Sequence, residues 1–143
     1  MRVQPYGLPE LEEFQGRHTY RHILVVDDDA FIVKLIQEDL GLEGYNVSSA
    51  SDGQAALQLA KKTKPNLVIL DVNMPMINGL KTMEYLRGLE ETKNIPILFL
   101  SGESSSRLAP ALASVPRVSY IKKPVDLEDL HSIIHHLLEK YPT

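Results

Sequence analysis

The fold is decided by residues 67–75, which read LVILDVNMP. Four apolar residues rich in branched side chains have the length and composition of a buried strand. A continuous apolar run, unlike an alternating one, is typical of a parallel strand that helices cover on both faces. The run ends on the acid Asp71, and Pro75 marks the loop that follows. This segment predicts a central strand of an α/β sheet with Asp71 at its carboxyl end.

Four further strands are predicted around this one. His22–Val26 and Ile95–Leu100 are apolar runs, and Tyr45–Ser49 and Val118–Ile121 are weaker ones. Between them, apolar residues recur with the period of a helix. Two such faces consist of Ile32, Leu35, Ile36 and Leu40, and of Leu127, Leu130, Ile134, Leu137 and Leu138. Strands that alternate with helices indicate βαβ units, so we expect one parallel sheet of five strands with five helices.

Polar residues mark where the helices begin. Asp29 directly precedes the first helical pattern, where its carboxylate can accept hydrogen bonds from free backbone N–H groups. Ser51 with Gln54 matches a capping box before the second helix, and Asp126 can cap the last helix. Pro110 falls inside the fourth helical segment, where it removes a backbone donor. We therefore expect the fourth helix to be short or bent.

Residues that can carry chemistry follow four of the strands. Asp27 and Asp28 follow the first, Asp71 ends the third, Ser101 follows the fourth and Lys123 follows the fifth. The carboxyl ends of parallel strands meet at one edge of a sheet, where ligands bind in folds of this class. We therefore expect these five side chains to converge on one rim.

Such a cluster of acids favours a divalent cation. Two carboxylates ~5 Å apart repel by about 3 kcal/mol at an effective dielectric of about 20, which a bound cation would offset. Mg²⁺ prefers oxygen ligands and takes one or two carboxylates together with phosphate oxygens. A lysine and a hydroxyl suit the far side of a phosphoryl group, and one carboxylate remains to act as a nucleophile. The pattern predicts a magnesium-assisted phosphoryl-transfer site.

Four motifs together resemble the receiver domain of response regulators, and in particular the chemotaxis regulators. They are residues 23–29 (ILVVDDD), 70–79 (LDVNMPMING), 100–102 (LSG) and 120–124 (YIKKP). Ser101 and Lys123 follow Asp71 by 30 and 52 positions, spacings that are usual in this family. The resemblance covers about residues 22–140. It implies a flavodoxin-like, doubly wound (βα)5 fold with the strand order 2-1-3-4-5.

The resemblance also implies a role for each residue of the rim. Asp71 would be the phosphoacceptor, and it would share a magnesium ion with three other residues. Asp28 would ligate the ion directly, Asp27 through a water molecule and Asn73 through its backbone carbonyl. Ser101 would donate a hydrogen bond to the phosphoryl group, and Lys123 would pair with its charge.

Three further roles concern switching and lifetime. Tyr120 matches the aromatic residue that changes orientation when Ser101 moves. Asn73 and Glu103 lie two positions after the phosphoacceptor and two after the switch hydroxyl, where side chains tune how long the phosphoryl group survives. Polar side chains at both positions imply a short lifetime, since they can orient an attacking water.

The same resemblance implies domain organisation and partners. Residues 21–143 would form the receiver domain, and residues 1–20 an N-terminal extension or linker. The donor would be a sensor histidine kinase or a phosphotransfer protein. The output would be a changed face on the fourth helix, fifth strand and fifth helix, offered to a downstream protein or to a second copy. Beyond self-catalysed phosphoryl transfer and dephosphorylation, no enzymatic activity is expected.

Composition restricts the other partners. The chain holds 15 Lys and Arg against 19 Asp and Glu, and its net charge of -4 gives no general attraction to nucleic acid. No apolar run approaches the ~20 residues that span a bilayer. Cysteine is absent, which suits a reducing compartment. We therefore expect a cytoplasmic protein without direct nucleic-acid or membrane partners.

Two other functions remain open. The first is a metal-dependent phosphohydrolase of the haloacid dehalogenase type, because Asp27 and Asp29 have the spacing of its two acids. Phe31 stands where that pattern has Thr or Val, however, and the chain leaves little room for a cap over a substrate. The second is a pseudo-receiver that binds partners without being phosphorylated, which the full set of acids, hydroxyl and lysine disfavours.

Overall fold

The structure is a computed structural model that describes residues 21–102 and 105–142, without the side chains of residues 105–107. Strands and helices alternate along the chain. The strands are β1 His22–Val26, β2 Asn46–Ala50, β3 Leu67–Asp71, β4 Ile97–Ser101 and β5 Val118–Lys122. The helices are α1 Ala30–Leu42, α2 Gly53–Thr63, α3 Gly79–Arg87, α4 Ser105–Leu112 and α5 Leu127–Lys140. All neighbouring strands are parallel, in the order β2-β1-β3-β4-β5, which confirms the predicted fold.

The sheet separates two hydrophobic clusters, as expected for a parallel sheet with helices on both faces. Alternate residues of each central strand point to opposite clusters: Leu24 and Val26 join one, and Ile23 and Val25 join the other. The first cluster includes residues of α2, α3 and α4, and the second includes residues of α1 and α5. All five residues of β3 and of β4 are buried. The site residues at the ends of these strands therefore stand on a rigid base.

Strand β4 begins later than the sequence predicted, at Ile97 instead of Ile95. Pro96 has no N–H to donate to the ladder, although its carbonyl accepts from Val68 N at 3.0 Å. Ile95 is buried, but its N–H turns back to the carbonyl of Thr92 at 3.2 Å. The apolar run is buried, as expected, but the strand starts two residues later than predicted.

The ends of the helices confirm most of the predicted caps. The carboxylate of Asp29 accepts from Phe31 N at 2.9 Å and from Ile32 N at 3.4 Å, and Asp126 caps α5 in the same way. The predicted capping box at Ser51 was wrong. The cap of α2 is Asp52, whose carboxylate accepts from Ala55 N at 2.8 Å.

The apolar face of α1 was correct except at one position. Ile36 and Leu40 are fully buried and Ile32 packs against the same cluster, but Leu35 is 41% exposed. Successive residues of a helix are rotated by about 100° around its axis. Ile36 lies at the centre of the buried face of α1, so Leu35 lies at the edge of that face. Helix α4 is short, as predicted, with eight residues and Pro110 inside it.

Candidate functional site

The predicted rim residues meet at the carboxyl ends of four strands. Asp27 follows β1, Asp71 is the last residue of β3, Ser101 is the last of β4 and Lys123 follows β5. Backbone hydrogen bonds fix these ends to one another: Lys123 N donates to the carbonyl of Ser101 at 2.7 Å, and Val72 N donates to the carbonyl of Leu100 at 2.9 Å. The convergence that parallel strands require is therefore observed.

Three carboxylates form the acidic part of this pocket. Asp27, Asp28 and Asp71 each place an oxygen within 4.8 Å of the others. Asp27 and Asp71 are 1% and 3% exposed, whereas Asp28 is exposed to solvent. Two carboxylates are thus held in the interior and a third faces water beside them. This arrangement supplies hard oxygen ligands and leaves an open side for water or for a phosphate oxygen.

The two oxygens of Asp27 have different surroundings. Oδ1 accepts a hydrogen bond from Asp29 N at 2.9 Å, which fixes the carboxylate. Oδ2 is buried and has no hydrogen-bond partner among the described residues. The ammonium of Lys123 lies 3.1 Å from Oδ2 and forms an ion pair with it. A buried carboxylate oxygen whose partner is a cation is also suited to bind a metal ion. The donor set therefore fits Mg²⁺.

Lys123 bridges two of the acids. Its Nζ lies 3.3 Å from Asp71 Oδ1 as well as 3.1 Å from Asp27 Oδ2, and its side chain is 22% exposed. Burial acts to lower the pKa of Lys123, but contact with Asp27 and the charge of Asp71 outweigh burial and raise it. The ammonium is therefore charged at neutral pH and stands beside Asp71.

The surroundings of Asp71 disfavour its ionised form. Burial raises its pKa above the ordinary value, and the negative charge of Asp27 raises it further. Lys123 and a hydrogen bond from Asn73 N, 3.4 Å from Asp71 Oδ1, act in the opposite direction without cancelling the rise. The ionised form of Asp71 thus gains from any further cation in the pocket.

The loop after Asp71 depends on a glycine whose role sequence analysis missed. Gly79 N donates to the carbonyl of Val72 at 2.8 Å, so helix α3 starts directly against the loop that follows Asp71. A Cβ on Gly79 would lie 2.3 Å from the carbonyl oxygen of Asp71 and 2.9 Å from Val72 Cα. The pair Asn78-Gly79 was visible as a turn signal, but the need for close approach is visible only in three dimensions.

The remaining predicted residues fall in different places. Asp29 uses its carboxylate to cap α1 and stays outside the acid cluster. Tyr120 is half-buried, pairs in register with Phe99 on β4 and packs against the cluster that includes Leu108 of α4. Asn73 is exposed at the edge of the pocket. Glu103 and residues 1–20 lie outside the described residues.

Comparison with known proteins decides the family. The model of the response regulator receiver domain matches residues 23–135. The chain belongs to the response regulator receiver family. Receiver domains act in two-component signalling with histidine kinases, as signalling domains and not as dedicated enzymes. They generally use Mg²⁺ in an acidic pocket, and this receiver has the corresponding cluster of aspartates.

Curated relatives include longer regulators. The receiver is 40% identical over 119 residues to the uncharacterized transcriptional regulatory protein YrkP of Bacillus subtilis, covering 83% of this chain and 50% of that protein. It is 35% identical over 117 residues to the probable transcriptional regulator ycf29 of Porphyra purpurea, covering 82% of this chain and 56% of that one. The chain thus spans about half the length of the curated relatives that it matches.

Solved structures confirm the fold. The chemotaxis protein CheY4 of Vibrio cholerae matches with a TM-score of 0.77 and 31% identity, covering 82% of this receiver and 98% of that chain. The receiver domain of the hybrid histidine kinase CckA matches with a TM-score of 0.69 and 28% identity, covering 82% and 98%. Among the described residues of this receiver, no helix is both long enough and apolar enough to cross a membrane.

Proposed function

We propose that this receiver is a phosphorylation-dependent switch that accepts a phosphoryl group on Asp71 with the help of Mg²⁺. The observation that carries the proposal is the pocket itself. Three carboxylate oxygens lie within 4.8 Å of one another, and the Lys123 ammonium lies 3.3 Å from Asp71. Such a concentration of charge at the end of a hydrophobic sheet is costly without a function. The donor is a sensor histidine kinase or a phosphotransfer protein.

The chemistry assigns one step to each residue. An oxygen of Asp71 attacks the phosphorus of a phosphohistidine, a P–O bond forms as the P–N bond breaks, and the imidazole leaves and takes up a proton. Asp27, Asp28 and the backbone carbonyl of Asn73 would hold Mg²⁺ beside Asp71. When bound, the ion neutralises the charge on the phosphoryl oxygens.

Lys123 and Ser101 act on the product. After phosphorylation, Asp71 would carry about −1.5 to −2 charge on its phosphoryl group instead of the single charge of a carboxylate, and Lys123 and the Ser101 hydroxyl can each contact that group. A charged hydrogen bond contributes about 1.5–3 kcal/mol. Lys123 already lies 3.3 Å from Asp71 before phosphorylation, so only its added attraction to the phosphoryl group, together with the contact of Ser101, counts toward the ~5.5 kcal/mol that carries a two-state equilibrium from 1:99 to 99:1.

The output surface is the face formed by α4, β5 and α5. Ser101 ends β4 and Tyr120 lies on the adjacent strand, packed against the side of the core that α4 covers. Movement of Ser101 toward the phosphoryl group gives the Tyr120 ring room to turn inward. The partner of the changed face is a downstream protein or a second copy of the receiver, since the net charge of -4 does not favour nucleic acid.

The two alternative functions are less well supported. A phosphohydrolase of the haloacid dehalogenase type would need Asp29 as a second acid of the site, but that carboxylate caps α1 through Phe31 N and Ile32 N. A pseudo-receiver would have no use for a charged lysine held between Asp27 and Asp71.

Intact mass spectrometry tests the proposal. With a small phosphodonor such as acetyl phosphate and Mg²⁺, the mass is expected to rise by one phosphoryl group. The rise should disappear in Asp71→Asn and persist in Asp29→Asn, a matched control in which asparagine still caps the helix. Phosphorylation that survives in Asp71→Asn would contradict the assignment, and rapid turnover of a generic phosphate ester would favour the phosphohydrolase.

A further inference from the structure

Far from the acid pocket, the guanidinium of Arg87 joins two loops at the opposite end of the strands. Arg87 is the last residue of α3, and its Nη1 donates to the carbonyl of Ile95 at 2.7 Å. Its Nη2 donates to the carbonyl of Arg117 at 3.2 Å and reaches that of Pro116 at 3.4 Å. Ile95 precedes β4, and residues 116–117 precede β5. One side chain therefore ties the end of α3 to the start of both strands.

Arg117 is the point at which three elements meet. Its backbone is in the left-handed region, with a φ of 62°, and its carbonyl also accepts from Ile97 N at 2.9 Å where the β4–β5 ladder begins. Its guanidinium lies over the ring of Tyr141, 5.0 Å from the centroid. Tyr141 directly follows α5. Arg117 thus contacts Arg87 of α3 through its carbonyl and the end of α5 through its side chain.

Two of the elements that reach this junction, α3 and β5, begin or end at the acid pocket. Helix α3 starts at Gly79, whose N–H holds the carbonyl of Val72 in the loop that follows Asp71. Strand β5 ends at Lys122, one residue before the lysine that pairs with Asp71. A helix and a strand are stiff over these lengths, so a shift at the pocket end of either is passed to Arg117.

We propose that Arg87 is a positioning residue for the loop of residues 116–117, and that this loop transmits the phosphorylated state to the end of α5 through the contact of Arg117 with Tyr141. The inference rests on the proposed phosphorylation of Asp71. It adds a second place where that state is read, at the end of α5, on the far side of the molecule from the pocket. The planar fork of arginine is suited to this task because it can hold carbonyls of two loops at once, which a lysine cannot.

A single tryptophan can report the contact. The chain has no tryptophan, so Tyr141→Trp places one indole under the Arg117 guanidinium, where its emission responds to the cation. Beryllofluoride with Mg²⁺ serves as the phosphoryl mimic. Its addition is expected to change the emission of the Tyr141→Trp protein. Fluorine NMR of bound beryllofluoride measures the loading of the pocket separately.

Three further substitutions in the Tyr141→Trp protein test which residues carry the change from the pocket to the indole. Arg117→Gly removes the guanidinium at a backbone position where glycine is favoured, so the fold is kept and the emission change is expected to be lost. Arg87→Lys keeps the positive charge but loses the forked guanidinium, so the emission change is expected to be lost in this variant too. Lys140→Met is the matched control, because it removes the other cation near the ring, 5.4 Å from its centroid, and should leave the change intact.

The outcomes separate this inference from the proposed function. A loaded pocket with no emission change in Tyr141→Trp alone would overturn the inference and leave phosphorylation standing. An emission change of equal size in Arg117→Gly or Arg87→Lys would overturn it as well. If beryllofluoride does not bind in the pocket, both the inference and the proposed function would be overturned. If Arg87→Lys proves too unstable to measure, the result for Arg117→Gly decides.

Discussion

At the scale of single residues, the pocket places carboxylates where water cannot fully solvate them. Asp27 and Asp71 are buried, and Asp27 Oδ2 has no hydrogen bond among the described residues. Lys123 offsets part of the repulsion by contacting both acids. The remaining cost is present only while the carboxylates are ionised, so it depends on pH and on divalent cations.

The first prediction concerns stability without a divalent cation. Folding raises the pKa of Asp71 above its ordinary value of 3.8, so the folded protein holds that proton more tightly than the unfolded chain does. The ionised side chain therefore destabilises the fold as pH rises from 3.8 through its folded pKa, and the cost is complete above it. At pH 7, Asp71→Asn should raise the free energy of unfolding by about 1–3 kcal/mol.

Urea unfolding at several pH values measures this effect. The gain in the free energy of unfolding from Asp71→Asn should shrink as pH falls toward the pKa of the unfolded chain. At pH 7, saturating Mg²⁺ should also reduce this difference, because only the wild-type pocket keeps all three carboxylates. Asp29→Asn serves as the control and should change stability little, since asparagine also caps helices well. A loss of stability in Asp71→Asn at pH 7 would show that the attraction of Lys123 outweighs burial and repulsion.

The second prediction separates the neighbouring acids Asp28 and Asp29. Asp28 is part of the cluster although it is exposed, whereas Asp29 caps α1. Asp28→Asn should weaken Mg²⁺ binding by about tenfold or more, the scale on which even indirect partners of a metal act. Asp29→Asn should leave it nearly unchanged. A magnesium titration followed by NMR measures both, and equal losses would contradict the proposed ligand set.

The residue scale also shows what sequence could predict. Sequence could predict which side chains form the pocket, because parallel strands bring their carboxyl ends to one edge of the sheet. These residues are Asp27, Asp28, Asp71, Ser101 and Lys123. The bridging position of Lys123 was not visible, since it depends on the angle at which β5 delivers the side chain. The close approach of Gly79 to the Asp71 carbonyl was not predictable, because no local sequence pattern shows which backbone segments come together.

At the scale of elements, helix α3 can lie close against the loop after Asp71 because Gly79 has no side chain. A Cβ at Gly79 would meet backbone atoms of Asp71 and Val72, which cannot move aside cheaply. Gly79→Ala should therefore destabilise the protein by about 1–3 kcal/mol and slow phosphorylation of Asp71. Gly41→Ala is the control: nothing lies within 4 Å of its added Cβ, and a helical alanine should add up to about 1 kcal/mol. Thermal unfolding and the rate of mass increase check the two variants.

Helix α4 is weakened from within by Pro110. The side chain is exposed, so its removal costs little packing, while alanine restores a backbone donor to an eight-residue helix. Pro110→Ala should stabilise the protein by about 1–2 kcal/mol after the greater freedom of the unfolded chain is subtracted. Hydrogen exchange of the amides in α4 should slow. Unchanged or faster exchange there would mean that the proline fits this helix without loss.

The boundaries of elements were predictable wherever one signal dominated. Asp29 and Asp126 were correct caps because each is the acid directly before a helical pattern. Ser51 was the wrong cap for α2: it was predicted because Ser51 and Gln54 match a capping box, but aspartate caps a helix about as well as serine, and Asp52 is the cap. Leu35 was assigned to the core because it is apolar, although its position on α1 turns it toward solvent.

At the scale of the whole molecule, one sheet serves two purposes. Its buried middle strands β3 and β4 hold Asp71 and Ser101 at the pocket, and Tyr120 on β5 packs against the hydrophobic cluster that includes Leu108 of α4. The five-stranded architecture was predictable because strand-like and helix-like hydrophobic patterns alternate along the sequence. The strand order was predicted from the resemblance to receiver domains. The junction of Arg87, Arg117 and Tyr141 was not predictable, because it depends on long side chains that cross between loops distant in sequence.

The central claim is that Asp71, and not another acid of the cluster, receives the phosphoryl group. An acyl phosphate is reduced by borohydride to an alcohol, which converts a phosphorylated aspartate to homoserine and marks its position in a peptide map. After treatment with acetyl phosphate and Mg²⁺, we predict homoserine at position 71 and unmodified aspartates at positions 27 and 28. Homoserine at Asp27 or Asp28, or none at position 71, would contradict it.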